Sequence, residues 1–328
     1  MSFNASPATA ADPGAVDPAK VVHRPRAGLS WSARSVVGVP YAWLLLFFLL
    51  PFLIVLKISV SEMEMVTFKD LMTWADGVLH IQIKFSNYLF ITQDDLYAKA
   101  YLASLKYAAI TTVWCLLIGY PFAYFMARAR ATWQPALLML VMLPFWTSFL
   151  LRVYAWKALL GEGGWVSGVL EALHVDTALV ALGLIPAAGQ FMNTPFSLVL
   201  GMVYTYLPFM ILPLYANLSK MDLRLLEAAY DLGATPWVAF WKVTVPLSRA
   251  GIVAGSMLVF IPCVGEYVIP ELLGGPQTLM IGRVLWDEFF ANNDWPMASS
   301  VAVVMILLII VPLALFNKAQ ADNQERAR

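Results

Sequence analysis

Charge is what this chain has least of: Asp, Glu, Lys and Arg together make up 13% of its 328 residues, while 60% are hydrophobic. With a mean hydropathy of +0.71, that balance excludes an ordinary soluble domain, in which about 25% of residues are charged. Cysteine is scarce too. Cys115 and Cys263 both fall in apolar stretches, where a thiol behaves as a small hydrophobe, so neither a disulfide framework nor a metal site is indicated. His23, His80 and His174 are scattered without ligand spacing, and no Gly-x-x-x-x-Gly-Lys-Ser/Thr phosphate loop occurs. The sequence assigns the chain no catalytic residues, no metal and no nucleotide site of its own.

Long apolar runs are what it has in plenty. A bilayer core of about 30 Å takes about 20 apolar residues per helix, and six stretches qualify: Val36 to Val60, Leu102 to Ala127, Gln134 to Leu151, Phe196 to Leu218, Ser248 to Pro270 and Ala298 to Phe316. The fold class expected is an all-α polytopic membrane protein with six transmembrane helices. Residues 1–35, rich in Ala, Pro and Asp, lack a short apolar core with a small-residue cleavage site and read as a disordered cytosolic tail. Residues 36–60 read as the first transmembrane helix, 61–99 as an extracytoplasmic loop, 100–317 as a core with five more helices, and 318–328 as a second cytosolic tail.

Basic residues orient this arrangement. With the N-terminus inside, Lys20, Arg24, Arg26, Arg34, Arg128, Arg130, Lys220, Arg224, Lys242, Arg249, Lys318, Arg326 and Arg328 all fall on the cytosolic side. That is the side on which Lys and Arg accumulate in short loops. Most acids fall opposite, so the zero net charge of the chain conceals an asymmetry. Both termini are expected in the cytosol.

Between the fourth and fifth spans, the loop 219–247 contains Glu227-Ala228-Ala229-Tyr230-Asp231-Leu232-Gly233 and closes with Val243-Thr244-Val245-Pro246. Asp222 is placed to cap a first helix, Gly233 to end it in the left-handed conformation, and Thr235-Pro236 to start a second. Glu227, Ala228, Ala229, Gly233 and Pro246 stand at the spacing of the signature loop of ABC-importer permeases, which this segment resembles. Val243 and Val245 replace the pattern's Ile and Leu, keeping apolar contacts. The resemblance implies that this loop docks on a separate ATPase, which would hold ATP and Mg.

The second informative block runs from Gly265-Glu266-Tyr267 through Trp286-Asp287-Glu288 to Asp294-Trp295-Pro296. A carboxylate at the end of a span is costly unless it meets water or a cation, which makes Glu266 a functional candidate. Tyr267, Trp286, Asp287, Glu288 and Asp294 join it as candidates for a substrate path. So do Tyr204 and Tyr206 in the Pro208- and Pro213-containing fourth span. Carboxylates and aromatic faces together suit an organic cation. This block resembles the permease subunits of polyamine ABC importers, closest to the putrescine type, over about Ala42 to Phe316. The resemblance implies the type I importer permease fold, a second homologous permease, two ATPase subunits, a soluble extracytoplasmic binding protein and a place in the bacterial inner membrane. An importer of another solute, such as an opine or an iron chelate, and a self-sufficient secondary carrier are the alternatives.

Overall fold

The computed structural model describes residues 31–326, apart from 65–66, 69–71, 76–77 and 82. The tail 1–30 and residues 327–328, part of the second tail, lie outside the described residues. Two units, 1–53 and 54–328, are each described by themselves.

The first unit contributes most of helix α1, Ser35–Ser59, which carries exposed Val36, Trp43, Leu46, Phe48 and Leu50. Twenty-five residues at 1.5 Å each give about 37 Å, enough to span a bilayer core. In the second unit two antiparallel hairpins follow: β1 (Met63–Glu64) with β2 (Thr67–Phe68), then β3 (Met72–Ala75) with β4 (Val78–Ile81). Helix α2 (Ser86–Gln93) leads into the 34-residue α3 (Asp95–Arg128), capped by Asp94, whose side chain accepts from Leu96 N–H at 2.8 Å.

The stretch expected as one span over 134–151 is instead two helices, α4 (Gln134–Met142, extended by a 3-10 turn Leu143–Trp146) and α5 (Phe149–Leu160), at 87° to each other. Pro144 supplies no N–H, and Thr147 folds back so that its Oγ1 donates to Pro144 O at 2.8 Å. Extended backbone at Thr147 and Ser148 then turns the chain. Short helices α6 (Trp165–Ala172) and α7 (Val175–Ala181) lead to α8 (Pro195–Leu218), a continuous helix despite Pro208 and Pro213. The loop helices α9 (Arg224–Asp231) and α10 (Pro236–Leu247) come next. Helix α11 (Arg249–Val264) continues from α10 across a 65° bend. It is shorter than the 248–270 span the sequence suggested, because the chain breaks at Gly265 before α12 (Val268–Leu272). Helices α13 (Ile281–Trp286) and α14 (Trp295–Arg326) complete the chain. Among the described residues three helices are long and apolar enough to cross alone, five if each bent pair is one span, and Trp295–Ile310 is a shorter apolar helix. The six apolar stretches of the sequence map onto these six segments.

The core is the packing of α3, α8 and α11. Ala108, Cys115 and Ala123 of α3 meet Met202, Met210 and Leu214 of α8 and Val259 and Cys263 of α11, all buried. Helices in a bilayer gain little from hydrophobic association and rely on close backbone approach, which small residues permit. Gly251 and Gly255 supply it: a Cβ on Gly255 would lie 2.8 Å from Met210 Sδ and 3.1 Å from Met210 O, and one on Gly251 2.8 Å from Asn217 Cβ. Gly255→Val should therefore destabilise the detergent-solubilised protein by about 1–3 kcal/mol, the usual cost of overpacking, as read by thermal unfolding. Gly168→Ala, at a position with nothing within 4 Å of the added carbon, is the control and should not lower stability.

Candidate functional site

Two places concentrate the candidate residues. The first is the bent plug formed by α9 and α10. Asp222 Oδ1 accepts from Arg224 N–H at 3.0 Å and begins α9. At its end Gly233 adopts φ 81°. Gly233 N–H reaches Tyr230 O at 2.8 Å, and Ala234 N–H reaches Ala229 O at 3.0 Å. This paired closure satisfies helix-end carbonyls and requires a left-handed residue. Thr235 then caps α10, accepting from Val238 N–H at 3.4 Å.

Leu226 is buried beneath the plug and Ala229 and Pro246 are half-buried, whereas Glu227, Ala228 and Gly233 are exposed. Around them Leu223, Leu225, Trp237 and Trp241 are exposed, and Leu232 is 89% exposed. So many bare apolar side chains around one small-residue turn are the mark of an unfilled contact surface. Behind the plug, Phe240 packs edge-on against Tyr120 and Tyr124 of α3 at 5.6 and 5.8 Å. Tyr120 OH and Ser248 Oγ lie 2.8 Å apart at the bend between α10 and α11. These contacts join the plug to α3 and to the start of α11.

The second place is the end of α11. There Glu266 Oε1 accepts from the backbone N–H groups of Tyr267 and Val268 at 3.2 and 3.0 Å, capping α12, while Tyr206 OH donates to Oε2 at 2.5 Å. Tyr206 and Glu266, two sequence candidates 60 residues apart, are thus in direct contact. Tyr267 stacks on Trp286 with ring centroids 4.4 Å apart and planes 9° from parallel, and Trp286 meets Phe290 at 4.1 Å. A half-buried carboxylate and a partly exposed aromatic ledge therefore share one end of the molecule.

The other candidates are held in different ways. Glu288 accepts from Tyr97 OH at 2.7 Å and from Asn292 Nδ2 at 2.8 Å. Asp287 Oδ2 lies 4.0 Å from Arg283 Nε, whose nearer partner is Glu271 Oε2 at 2.6 Å, an ion pair without hydrogen-bond alignment. Asp294 accepts from Met297 N–H at 2.9 Å and caps α14. Tyr204 packs edge-on against Trp156 at 5.3 Å, apart from Glu266. Glu266, Glu288 and Asp294 form no ion pair among the described residues. Sequence reasoning missed Tyr97, Tyr120 and Ser248, whose partners lie far along the chain. It also missed Gly251 and Gly255, although their four-residue spacing in an apolar span is a recognisable packing signal.

Residues 115–324 match the model of the family described as binding-protein-dependent transport system inner membrane component. The spermidine/putrescine transport system permease protein PotB of Haemophilus influenzae is 38% identical over 286 residues, covering 87% of this chain and 93% of that protein. The protein of the same name from Escherichia coli is 35% identical, covering 87% and 95%. The inner membrane ABC transporter permease protein YdcU of Escherichia coli is 35% identical over 67% of this chain and 71% of that protein. Among solved structures, a bacterial ABC transporter involved in alginate import aligns with a TM-score of 0.59 at 16% identity, covering 88% of this chain and 94% of that one. The chain therefore belongs to the binding-protein-dependent transport system inner membrane component family, as a multi-pass permease component of the inner membrane with the type I ABC-importer permease fold.

Proposed function

We propose that this chain is one permease subunit of an ATP-driven importer that carries a polyamine, with the diamine putrescine its foremost cargo, into the cytosol. The observation that carries the cargo assignment is the Glu266 site. An ionised carboxylate has about four acceptor positions. Two backbone N–H groups and the Tyr206 hydroxyl occupy three of them, which leaves one for an ammonium group, with the Tyr267–Trp286 ledge nearby for its cationic or methylene part. The similarity to the spermidine/putrescine transport system permeases of Haemophilus influenzae and Escherichia coli supports the same class.

The family and the plug together support the rest of the assembly. A second homologous permease would complete the path, two ATPase subunits holding ATP and Mg would receive Glu227, Ala228 and Gly233, and a soluble binding protein would deliver the amine from outside. Closure of the motors would push α9 and α10, and the Phe240, Tyr120 and Ser248 contacts would pass that motion to α3 and α11. Contacts made equally in both states shift nothing, so the coupling must reside in those that change.

The test is ATPase activity of the reconstituted complex with binding protein and a panel of solutes. Stimulation by putrescine or spermidine supports the reading; stimulation by an opine or iron chelate alone refutes the cargo. Orientation is checked separately. A cysteine at Asn292 should react with an impermeant thiol reagent added outside, and one at Lys220 should not; the reverse pattern would place the plug beyond the reach of a cytosolic motor.

A further inference from the structure

A cavity of about 370 Å³, lined by Phe125, Ala129, Arg130, Trp133 and Leu137, lies where α3 turns into α4. That volume is at the small end of the range for ligand pockets, about 300–1,000 Å³. Its walls are prebuilt. Gln134 Nε2 donates to Ala129 O at 3.0 Å, Tyr215 OH of α8 donates to Gln134 Oε1 at 3.1 Å, and Trp133 N–H closes on Arg130 O at 2.8 Å.

The charge here is one-sided. From residue 96 to residue 161 the chain contains no Asp or Glu, while it carries Arg128 and Arg130 at the turn itself. Among the described residues neither arginine forms an ion pair. Arg128 is held over the Tyr124 ring at 5.2 Å and does not line the cavity, whereas Arg130 is exposed and does. Along the same cavity, Phe125 and Trp133 are 63% and 62% exposed, and Leu137 is half-buried.

We infer that this cavity is a binding site for an anionic phospholipid, with the headgroup phosphate on Arg130 and an acyl chain along Phe125, Trp133 and Leu137. An anion alone would leave the apolar wall bare, and a neutral lipid would leave Arg130 uncompensated. A Trp flanked by arginines at the end of a span is also where the headgroup layer meets the acyl region. Basic pockets between helices on the cytoplasmic side bind such headgroups. The inference is independent of the cargo and rests on the cytosolic placement of the α3–α4 turn.

To test it, the purified full transporter complex is delipidated, offered equal amounts of palmitoyl-oleoyl phosphatidylglycerol and phosphatidylcholine, and read by native mass spectrometry for retained lipid. Wild type should prefer the glycerol lipid. Arg130→Gln, at an exposed position that folding tolerates, should reduce that preference about fivefold, the weight of one basic residue near an anionic surface. Arg130→Lys should keep most of it, and Trp133→Ala should lower total retention without changing the preference. Equal retention of the two lipids by wild type would overturn the proposal, whether the cavity is empty or covered by the second permease. Unchanged preference in Arg130→Gln would do the same, and loss of the preference on adding inorganic phosphate at low millimolar concentration would reduce the site to one for a bare anion.

Discussion

Gly233→Leu is expected to abolish recovery of the ATPase with this chain while leaving membrane insertion intact. Gly233 sits at φ 81°, where a side chain costs about 1–2 kcal/mol, and the turn it closes is held by the Gly233-to-Tyr230 and Ala234-to-Ala229 hydrogen bonds. Nothing lies within 4 Å of a Cβ built there. The added Cβ therefore meets no part of this chain, and the core of α3, α8 and α11 is expected to stay as it is. The leucine's bulk instead projects from the exposed surface formed with Leu232 and Trp237, where it would hold a partner away. Pull-down of the ATPase at matched membrane abundance measures the effect. Gly233→Asn, which tolerates the left-handed conformation better, should retain part of the complex. Wild-type yield and wild-type uptake in Gly233→Leu would sink the docking assignment.

The second large effect is expected at Glu266. Glutamine can still accept from the Tyr267 and Val268 N–H groups through its one amide oxygen, so the cap on α12 persists; what it loses is the charge and the second oxygen that accepts from Tyr206 OH. A charge-assisted hydrogen bond contributes about 1–3 kcal/mol, and at 1.4 kcal/mol per factor of ten the upper end slows diamine uptake about a hundredfold. Asp294→Asn is the contrast, because Asp294 is engaged in capping α14. An acid already held in a cap contributes about 0–1 kcal/mol to a further pairing, and salt weakens it further. Labelled putrescine uptake by the two variants and wild type, at equal abundance, separates the cases. Normal transport by Glu266→Gln would make the residue a structural cap and move the search to Glu288 and Asp287.

The plug was legible because its determinants are local: a cap, a left-handed glycine and a second cap act within a few residues, and Asp222, Gly233 and Thr235 do what their positions imply. Apolar length likewise picked out the three long apolar helices, the two bent pairs and the shorter helix Trp295–Ile310 found among the described residues. Proline was the poorer guide. Pro208 and Pro213 lie inside a continuous α8, whereas Pro144, followed by Thr147 and Ser148, precedes an 87° bend in the third span. The difference lies in the flanking hydroxyl residues that offer the freed backbone another partner. The site was half legible. Composition singled out Glu266 and Tyr206, but only folding brings Tyr206 OH onto Glu266, Tyr97 onto Glu288 and Tyr120 onto Ser248, pairs separated by 60, 191 and 128 residues.

A separate motor, acting through this chain, is expected to move a polyamine inward. The direct measurement is accumulation of labelled putrescine by proteoliposomes containing the complete complex, with the binding protein on one face and ATP on the other. Accumulation above the external concentration that needs both ATP and binding protein, and that collapses in Gly233→Leu, is the predicted result. Uptake that proceeds equally without ATP, or no uptake of any polyamine by a complex that hydrolyses ATP in response to another solute, would contradict it.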